Sequence, residues 1–246
     1  MPAETPTMPR RRWHLGRWFI VLMVATLGWV GCTAYAYRSA LSQAKALGWQ
    51  VERTDPVERI RKNWKSAFEK ETWLDGVTRL DIPTSEQAEQ HLDIAHRLDP
   101  MVLQIDDAAT LRNIPALIPL KRLKAVALVG ATGLTNVDGL KNLPALQEVY
   151  LDGCTGLTNV DALKNLPALI KVHLIGCTGL TNVDGLKNLP ALQWVNLRGC
   201  TGLTNVDGLK NLLALQSIFL TGCTGLTAES IKALKAALPN ARIYGP

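Results

Sequence analysis

Aromatic residues are scarce in this chain of 246 residues, where phenylalanine, tyrosine and tryptophan together make up 6%. Glycine and leucine are abundant instead, and the glycines alone number 19. So few large side chains suit a fold that repeats one small unit better than a single core of varied residues. The length allows one or two domains of ordinary size.

Residues 74–246 also lack a net charge, since they carry fifteen basic and fifteen acidic side chains. The formal charge of +6 therefore comes from the residues that precede them. A domain that binds nucleic acid usually presents a basic face of its own. The sequence accordingly predicts no nucleic-acid partner.

Charged side chains are absent from residues 18–37, which run from Trp18 to Tyr37. Twenty such positions are about the length of a helix that crosses a bilayer. Residues 1–17 form a basic leader with four arginines, which predicts a cytoplasmic N-terminus. The sequence thus predicts a single-pass membrane protein whose remaining residues are periplasmic or extracellular.

Cys32 leaves an alternative open. Val30-Gly31-Cys32 resembles the end of a bacterial lipoprotein signal, in which the cysteine is acylated and becomes the new N-terminus. Trp29 stands where that pattern has an aliphatic residue, and the apolar run continues past Cys32. An uncleaved anchor is the favoured interpretation, because a convincing signal-peptidase site is also missing.

Residues 38–73 are interpreted as a juxtamembrane linker and a capping helix. Asp55 and Pro56 form a helix start, and Val57, Ile60, Trp64 and Phe68 then fall on one helical face. This apolar stripe could bind a membrane or a partner. Covering the open end of a repeat stack is the favoured role, because such stacks need a cap.

A period of 23 residues dominates the rest of the chain. Nearly identical segments begin at Gly130, Gly153, Gly176 and Gly199, and a shorter copy begins at Gly222. Each unit is too short to bury its own apolar face, so the units must stack to form a core.

The repeat resembles the leucine-rich-repeat family, whose core reads LxxLxLxxN/CxxL. Here the positions are Leu146, Val149, Leu151, Cys154 and Leu157, and cysteine in place of asparagine is similar to the bacterial-type, cysteine-containing subclass. Less regular copies extend the resemblance over residues 74–246. It implies an α/β solenoid with a parallel, concave sheet of about eight strands. It also implies that the concave sheet is the ligand surface.

Within each unit, Asp161 and its equivalents are expected to cap a short helical turn, and the prolines at Pro144, Pro167 and Pro190 are expected to end it. Residues 227–238 have helical spacing, and residues 239–244 can supply a last edge strand.

Four of the five cysteines occupy one repeated position and should form a column inside the solenoid. They show no CxxC spacing and share their position with no histidine, so no metal site is predicted. Neighbouring units are close enough for a disulfide. Free, buried thiols that act as small apolar fillers are the favoured state. The column consists of Cys154, Cys177, Cys200 and Cys223.

The repeats differ mainly at strand positions that point away from the core. Uniform duplication would have left these columns uniform, and exposed positions such as Lys141 and Lys164 have not changed. Drift at solvent-exposed positions is the alternative explanation. Tryptophan, tyrosine and arginine are enriched where binding energy concentrates, so the sequence predicts a site for a protein or peptide. Its residues are Glu148, Tyr150, Asp152, Lys171, His173, Trp194, Asn196, Arg198 and Phe219.

No catalytic residues or cofactor are predicted. Glu148, Asp152 and His173 could lie near one another, but an open sheet offers them no pocket that excludes water. His91 and His96 are expected to be solvated on a helix after Ser85. Two other functions stay open: an architectural envelope protein without a specific ligand, and an adaptor that delivers substrates to a separate enzyme.

Overall fold

The computed structural model describes residues 36, 38–53, 77–90, 92–112, 114 and 120–245. The predicted anchor over residues 18–37, apart from residue 36, lies outside the described residues, as do Cys32 and the predicted helix after Asp55. Within the described part, no helix is long and apolar enough to span a membrane.

One sheet organises the described part of the chain, and its nine strands follow one another in sequence order. Strands β2 to β9 are parallel to one another, and β1 adds an antiparallel strand at the N-terminal edge. The eight parallel strands match the sequence prediction. The strands are β1 (Gln50–Arg53), β2 (Val77–Thr84), β3 (Val102–Asp107), β4 (Ala125–Ala127), β5 (Glu148–Tyr150), β6 (Lys171–His173), β7 (Trp194–Asn196), β8 (Ser217–Phe219) and β9 (Arg242–Tyr244).

The strand register follows the 23-residue period from β2 to β8. Leu80 pairs with Leu103, Leu103 with Val126, and Val126 with Val149. The final step is longer, because Phe219 pairs with Tyr244. The helix formed by Ala228–Ala237 accounts for the additional residues.

The core lies behind the sheet and consists of the repeat's own apolar positions. Val149 and Leu151 are fully buried, and so are Leu146 and Leu157 in the adjoining turns. Each fully buried leucine contributes about 2 kcal/mol relative to an exposed one. The predicted alternation of buried and outward-facing residues along the strands is confirmed.

Short 3-10 helices form the wall opposite the sheet. They are η1 (Asp138–Leu140), η2 (Asp161–Leu163), η3 (Asp184–Leu186) and η4 (Asp207–Leu209).

The prediction that the aspartates cap these helices is wrong. Asp161 is the first helical residue, and its own backbone N–H donates to Oδ1 of Asn159 at 3.1 Å. The Asp161 carboxylate instead pairs with Nζ of Lys164 at 2.8 Å. Asparagine therefore supplies the turn that starts each helix, and the aspartate forms an exposed ion pair worth less than about 1 kcal/mol.

The prolines do not end the 3-10 helices either. Helix η4 ends at Leu209 although Leu213 replaces proline in that unit. What changes is the backbone after the helix, since Lys187 has ψ of 142° whereas Lys210 has ψ of −29°. Proline restricts the residue directly before it, which is Leu189 and not Lys187, so this restriction alone does not set the conformation of the lysine.

Three helices cover the N-terminal end of the sheet: α1 (residues 38–46), α2 (Ser85–Gln90) and α3 (Leu92–Leu98). Ala40, Ala44 and Trp49 are buried, and the Trp49 indole donates to Oε1 of Gln87 at 2.8 Å. The described part of the predicted linker thus packs against the sheet. The domain boundary at residue 74 stays a prediction.

His96 is half-buried in α3, so the expectation that it is solvated is wrong. Its Nε2 is buried, without a hydrogen-bond partner among the described residues. Ile94, Ala95 and Leu98 of the same helix are buried in the core, which draws the neighbouring imidazole inward. The side chain of His91 lies outside the described residues.

Helix α4 (Ala228–Ala237) covers the other end. Thr227 caps it by accepting a hydrogen bond from the Ser230 N–H. Ile231, Leu234 and Leu238 are buried, as the helical spacing predicts.

The four cysteines form the predicted internal column, and all four are free and buried. Each thiol donates to a backbone carbonyl of the preceding unit, as Cys200 Sγ does to the Leu174 oxygen at 3.0 Å. Burial raises the pKa of Cys200 to about 12. These thiols donate to carbonyl groups of the repeat, and Cys200 remains protonated at neutral pH.

Candidate ligand-binding face

The solvent-facing side of the sheet, which the resemblance predicts to be concave, is called the open face here. It consists of the strand residues that alternate with the buried positions, together with the residue that follows each buried leucine. All nine predicted site residues lie on this face, because the register places β5 to β8 side by side.

Four side chains at the N-terminal end of this patch contact one another: Glu148, Tyr150, Lys171 and His173. Together with Asp152 they are called the paired half. Glu148 accepts hydrogen bonds from the Tyr150 hydroxyl at 2.7 Å and from Lys171 Nζ at 2.8 Å. The Tyr150 and His173 rings are tilted, with centroids 4.7 Å apart.

These contacts change the acidity of two groups. The hydrogen bond from Lys171, followed by that from Tyr150, lowers the pKa of Glu148. Burial and the hydrogen bond to Glu148 raise the pKa of Tyr150 to about 12. At neutral pH the paired half therefore holds an ionised carboxylate between a neutral phenol and an ammonium group.

Asp152 is engaged with the backbone of the next unit. Its Oδ1 accepts from the Ile175 N–H at 2.7 Å. The Glu148 carboxylate and one oxygen of Asp152 thus both accept hydrogen bonds from within the domain. Among the residues that the structure describes, no group of three or more histidine, cysteine, aspartate or glutamate side chains could hold a metal ion.

The C-terminal end of the patch is a row of three aromatic rings, those of Trp194, Phe219 and Tyr244. These rings, together with Arg198 and Arg242, are called the aromatic half. Trp194 and Phe219 have ring centroids 4.8 Å apart, and Phe219 stacks on Tyr244 at 4.6 Å and an interplanar angle of 7°. The Arg198 guanidinium lies 4.6 Å from the centre of the Phe219 ring. Aromatic pairs at these distances attract each other beyond simple burial.

Trp194 contributes one unusual group. Its indole Nε1 is buried and has no hydrogen-bond partner among the described residues. Packing alone therefore holds the ring in place, because no hydrogen bond fixes its orientation.

Asn196 is the one predicted site residue that is not accessible, since only 6% of it is exposed. Its register partners are His173 and Phe219, whose rings are larger and flank it. Its Oδ1 accepts from the Arg198 N–H at 3.3 Å. Asn196 thus supports the backbone of Arg198, two residues further on. The expectation that Asn196 is exposed is wrong.

The sequence reasoning missed Arg242 and Tyr244, which β9 adds to the open face. Arg242 pairs with Ser217 in register, and Tyr244 pairs with Phe219. A strict 23-residue step from Phe219 would have reached Arg242 instead. The length of α4, which the helical spacing of residues 227–238 had indicated, was the available signal.

Exposed apolar side chains concentrate on this face. Among the described residues, the large hydrophobic side chains that are exposed are Val129, Ile175, Leu213 and Tyr244. Three of them belong to the open face or its edge, and only Leu213 lies elsewhere. These three lie after β4, after β6 and in β9, so they are spread along the face and do not form one patch.

A parallel sheet with one short strand in every 23 residues, closed on its other side by 3-10 helices, is the leucine-rich-repeat fold. The described residues from 77 to 245 have this fold. No protein-family model matches the chain, and no curated protein does.

Solved structures similar to the chain are leucine-rich-repeat proteins. The leucine-rich-repeat domain of the type III effector XopL is 19% identical, over 100% of this chain and 98% of that one, with a TM-score of 0.43. An internalin from Listeria monocytogenes is 17% identical, over 63% and 65%, with a TM-score of 0.28. A leucine-rich-repeat protein from Leptospira interrogans is 17% identical, over 61% and 56%, with a TM-score of 0.22.

Proposed function

We propose that this chain is a binding module that engages a protein or peptide through the open face of its sheet. The observation that carries the proposal is that equivalent positions of successive repeats vary on the open face but hardly vary elsewhere. The buried positions and the outer turns repeat almost unchanged, whereas the open face carries tryptophan, tyrosine, phenylalanine, histidine and arginine.

The geometry of the rings supports this function. Trp194, Phe219 and Tyr244 form a continuous row on one side of the sheet, and Tyr244 is 42% exposed. Rigid aromatic side chains lose little conformational entropy when a partner covers them, so they are efficient contact residues.

A pulldown from membranes of the source cells tests the proposal. Replacing Trp194→Ala together with Phe219→Ala removes two rings from the row and should lower recovery of the partner about tenfold or more, because central aromatic contacts often contribute more than 1 kcal/mol each. The control is Lys187→Ala with Leu213→Ala, which changes two exposed residues outside the open face. Equal recovery with both double variants, at unchanged thermal stability, would contradict the proposal.

We further propose that residues 18–37 tether the module to a membrane, with residues 1–17 cytoplasmic and the repeats periplasmic or extracellular. The charge-free apolar run and the arginines before it support this arrangement. Protease added to cells stripped of their outer envelope, with the inner membrane intact, should digest the repeats and spare the leader. Protection of the repeats would reverse the orientation.

Cys32 distinguishes the two kinds of tether. If the chain is a lipoprotein, a radiolabelled fatty acid is incorporated into the parent chain and not into the Cys32→Ser variant. We expect no Cys32-dependent label, because Trp29 and the continued apolar run favour an uncleaved helix.

A further inference from the structure

We infer that the aromatic half of the open face recognises an acidic peptide segment that carries aromatic or large apolar side chains. This inference rests on the proposed function and specifies the chemistry of its partner. Trp194, Phe219 and Tyr244 would contact the apolar side chains, while Arg198 and Arg242 would pair with the carboxylates.

The paired half has little left to offer a ligand. Both Glu148 oxygens already accept hydrogen bonds, one from Tyr150 and one from Lys171, and Asp152 accepts from the Ile175 backbone. A ligand that used these groups would first have to break contacts of 2.7–2.8 Å. Such an exchange of one hydrogen bond for another gives little net free energy.

The aromatic half differs because its cations are not neutralised. Neither Arg198 nor Arg242 has an ion-pair partner among the described residues, and both are exposed. Arg198 lies over the Phe219 ring, which holds the guanidinium close to the aromatic row. Its backbone N–H is fixed by Asn196 at 3.3 Å, so the arginine is anchored at its base.

The two halves therefore carry opposite charge. Strands β5 and β6 and the residues after them contribute Glu148 and Asp152 against Lys171, whereas β7 to β9 contribute two arginines and no carboxylate. A partner that lies along the face binds most favourably when its carboxylates lie over the two arginines of the aromatic half, because unlike charges attract. Placing those carboxylates over the acidic paired half would be disfavoured by repulsion between like charges.

An extended peptide suits this surface better than a polyanion. Only two arginines are present, which is too few to neutralise a run of phosphates in the way that nucleic-acid proteins do. Three rings on adjacent strands cover about two strand spacings, roughly 10 Å. An extended peptide running across the strands covers that span with about three residues, because each residue rises about 3.3 Å.

A display library of random linear heptapeptides, selected on the full-length chain in detergent, tests the inference. Peptides that combine glutamate or aspartate with aromatic or large apolar residues should be enriched. Arg198→Gln with Arg242→Gln should weaken a synthetic copy of the best peptide about tenfold, as expected for two exposed charge pairs. Lys187→Gln with Lys210→Gln is the matched control, because it removes two positive charges next to η3 and η4, outside the open face.

The outcomes separate the inference from the proposed function. Enriched peptides without acidic residues, or acidic peptides that bind the arginine variant as tightly as the parent, would overturn the inference and leave a peptide-binding face. Enrichment that is unaffected by Tyr244→Ser and by Trp194→Ala with Phe219→Ala, or no enrichment at all, would overturn both. Tighter binding of a single-stranded oligonucleotide than of any peptide would also overturn both.

Discussion

Side chains on the open face contact one another within and across strands. Glu148 shows the consequence most clearly, because it holds Tyr150 and Lys171 at once. The folded chain stabilises the neutral phenol, since the pKa of Tyr150 is about 12 against about 10 for an unfolded tyrosine. This stabilisation is fully present below pH of about 10 and is lost as the pH rises through about 12.

Replacing Glu148→Gln should lower the pKa of Tyr150 toward its ordinary value, because the charge that opposes ionisation disappears. The decrease should be partial, since burial is the larger cause and is unaffected. The measurement is an alkaline titration of tyrosinate absorbance, in which the difference between each chain and its Tyr150→Phe counterpart isolates this one residue. A titration midpoint that does not move would contradict the hydrogen bond.

Structural elements repeat closely enough that the chain contains its own controls. The middle residue of the 3-10 helices is glycine in η1, η3 and η4 but Ala162 in η2. A methyl group on Gly185 would overlap the carbonyl oxygen of Val160, which belongs to the backbone of the unit before it. Contact between successive units is therefore closest at this glycine.

Gly185→Ala should destabilise the chain by about 1–3 kcal/mol, because the backbone of one unit has to move away from the next. Ala162→Gly is the matched control and should cost only about 0.5–1 kcal/mol, the conformational penalty of glycine. Urea unfolding of the full-length variants measures both. Equal losses for the two substitutions would show that the units are not in contact here.

The elements also show how far the sequence could lead. The 23-residue period predicted the parallel strands, the buried column of cysteines and the side chains that share the open face, because stacking forces each unit to repeat the last. It could not predict β1, which lies outside the repeats and pairs antiparallel with β2. The period would pair Phe219 with Arg242, whereas Phe219 pairs with Tyr244, because α4 is longer than the turns of the other units.

The repeat spacing does not reveal which of two suitable side chains makes a given hydrogen bond. Aspartate and asparagine both suit the start of a helix, and the structure uses Asn159 for the turn and Asp161 for an ion pair with Lys164. Burial of Asn196 likewise depended on the size of the rings beside it, which the strand pattern alone does not weigh.

At the scale of the whole molecule, the stacked repeats use different residues for the stability of the fold and for the open face. The core, the thiol ladder and the 3-10 wall use the same residues in unit after unit, so they leave the open face free to vary without loss of the fold. The two halves of that face then differ in charge and in how far their polar groups are already satisfied. The aromatic half is where a partner would gain most.

A photoreactive phenylalanine analogue tests most directly whether this face is where a partner binds. It would replace Phe219 on the open face in one chain and the exposed Leu213, in the connection between η4 and β8, in another, each produced in the native cells. We predict a protein or peptide adduct after irradiation of the Phe219 chain and little or none from the Leu213 chain. Adducts from Leu213 alone, or equal adducts from both positions, would contradict the account.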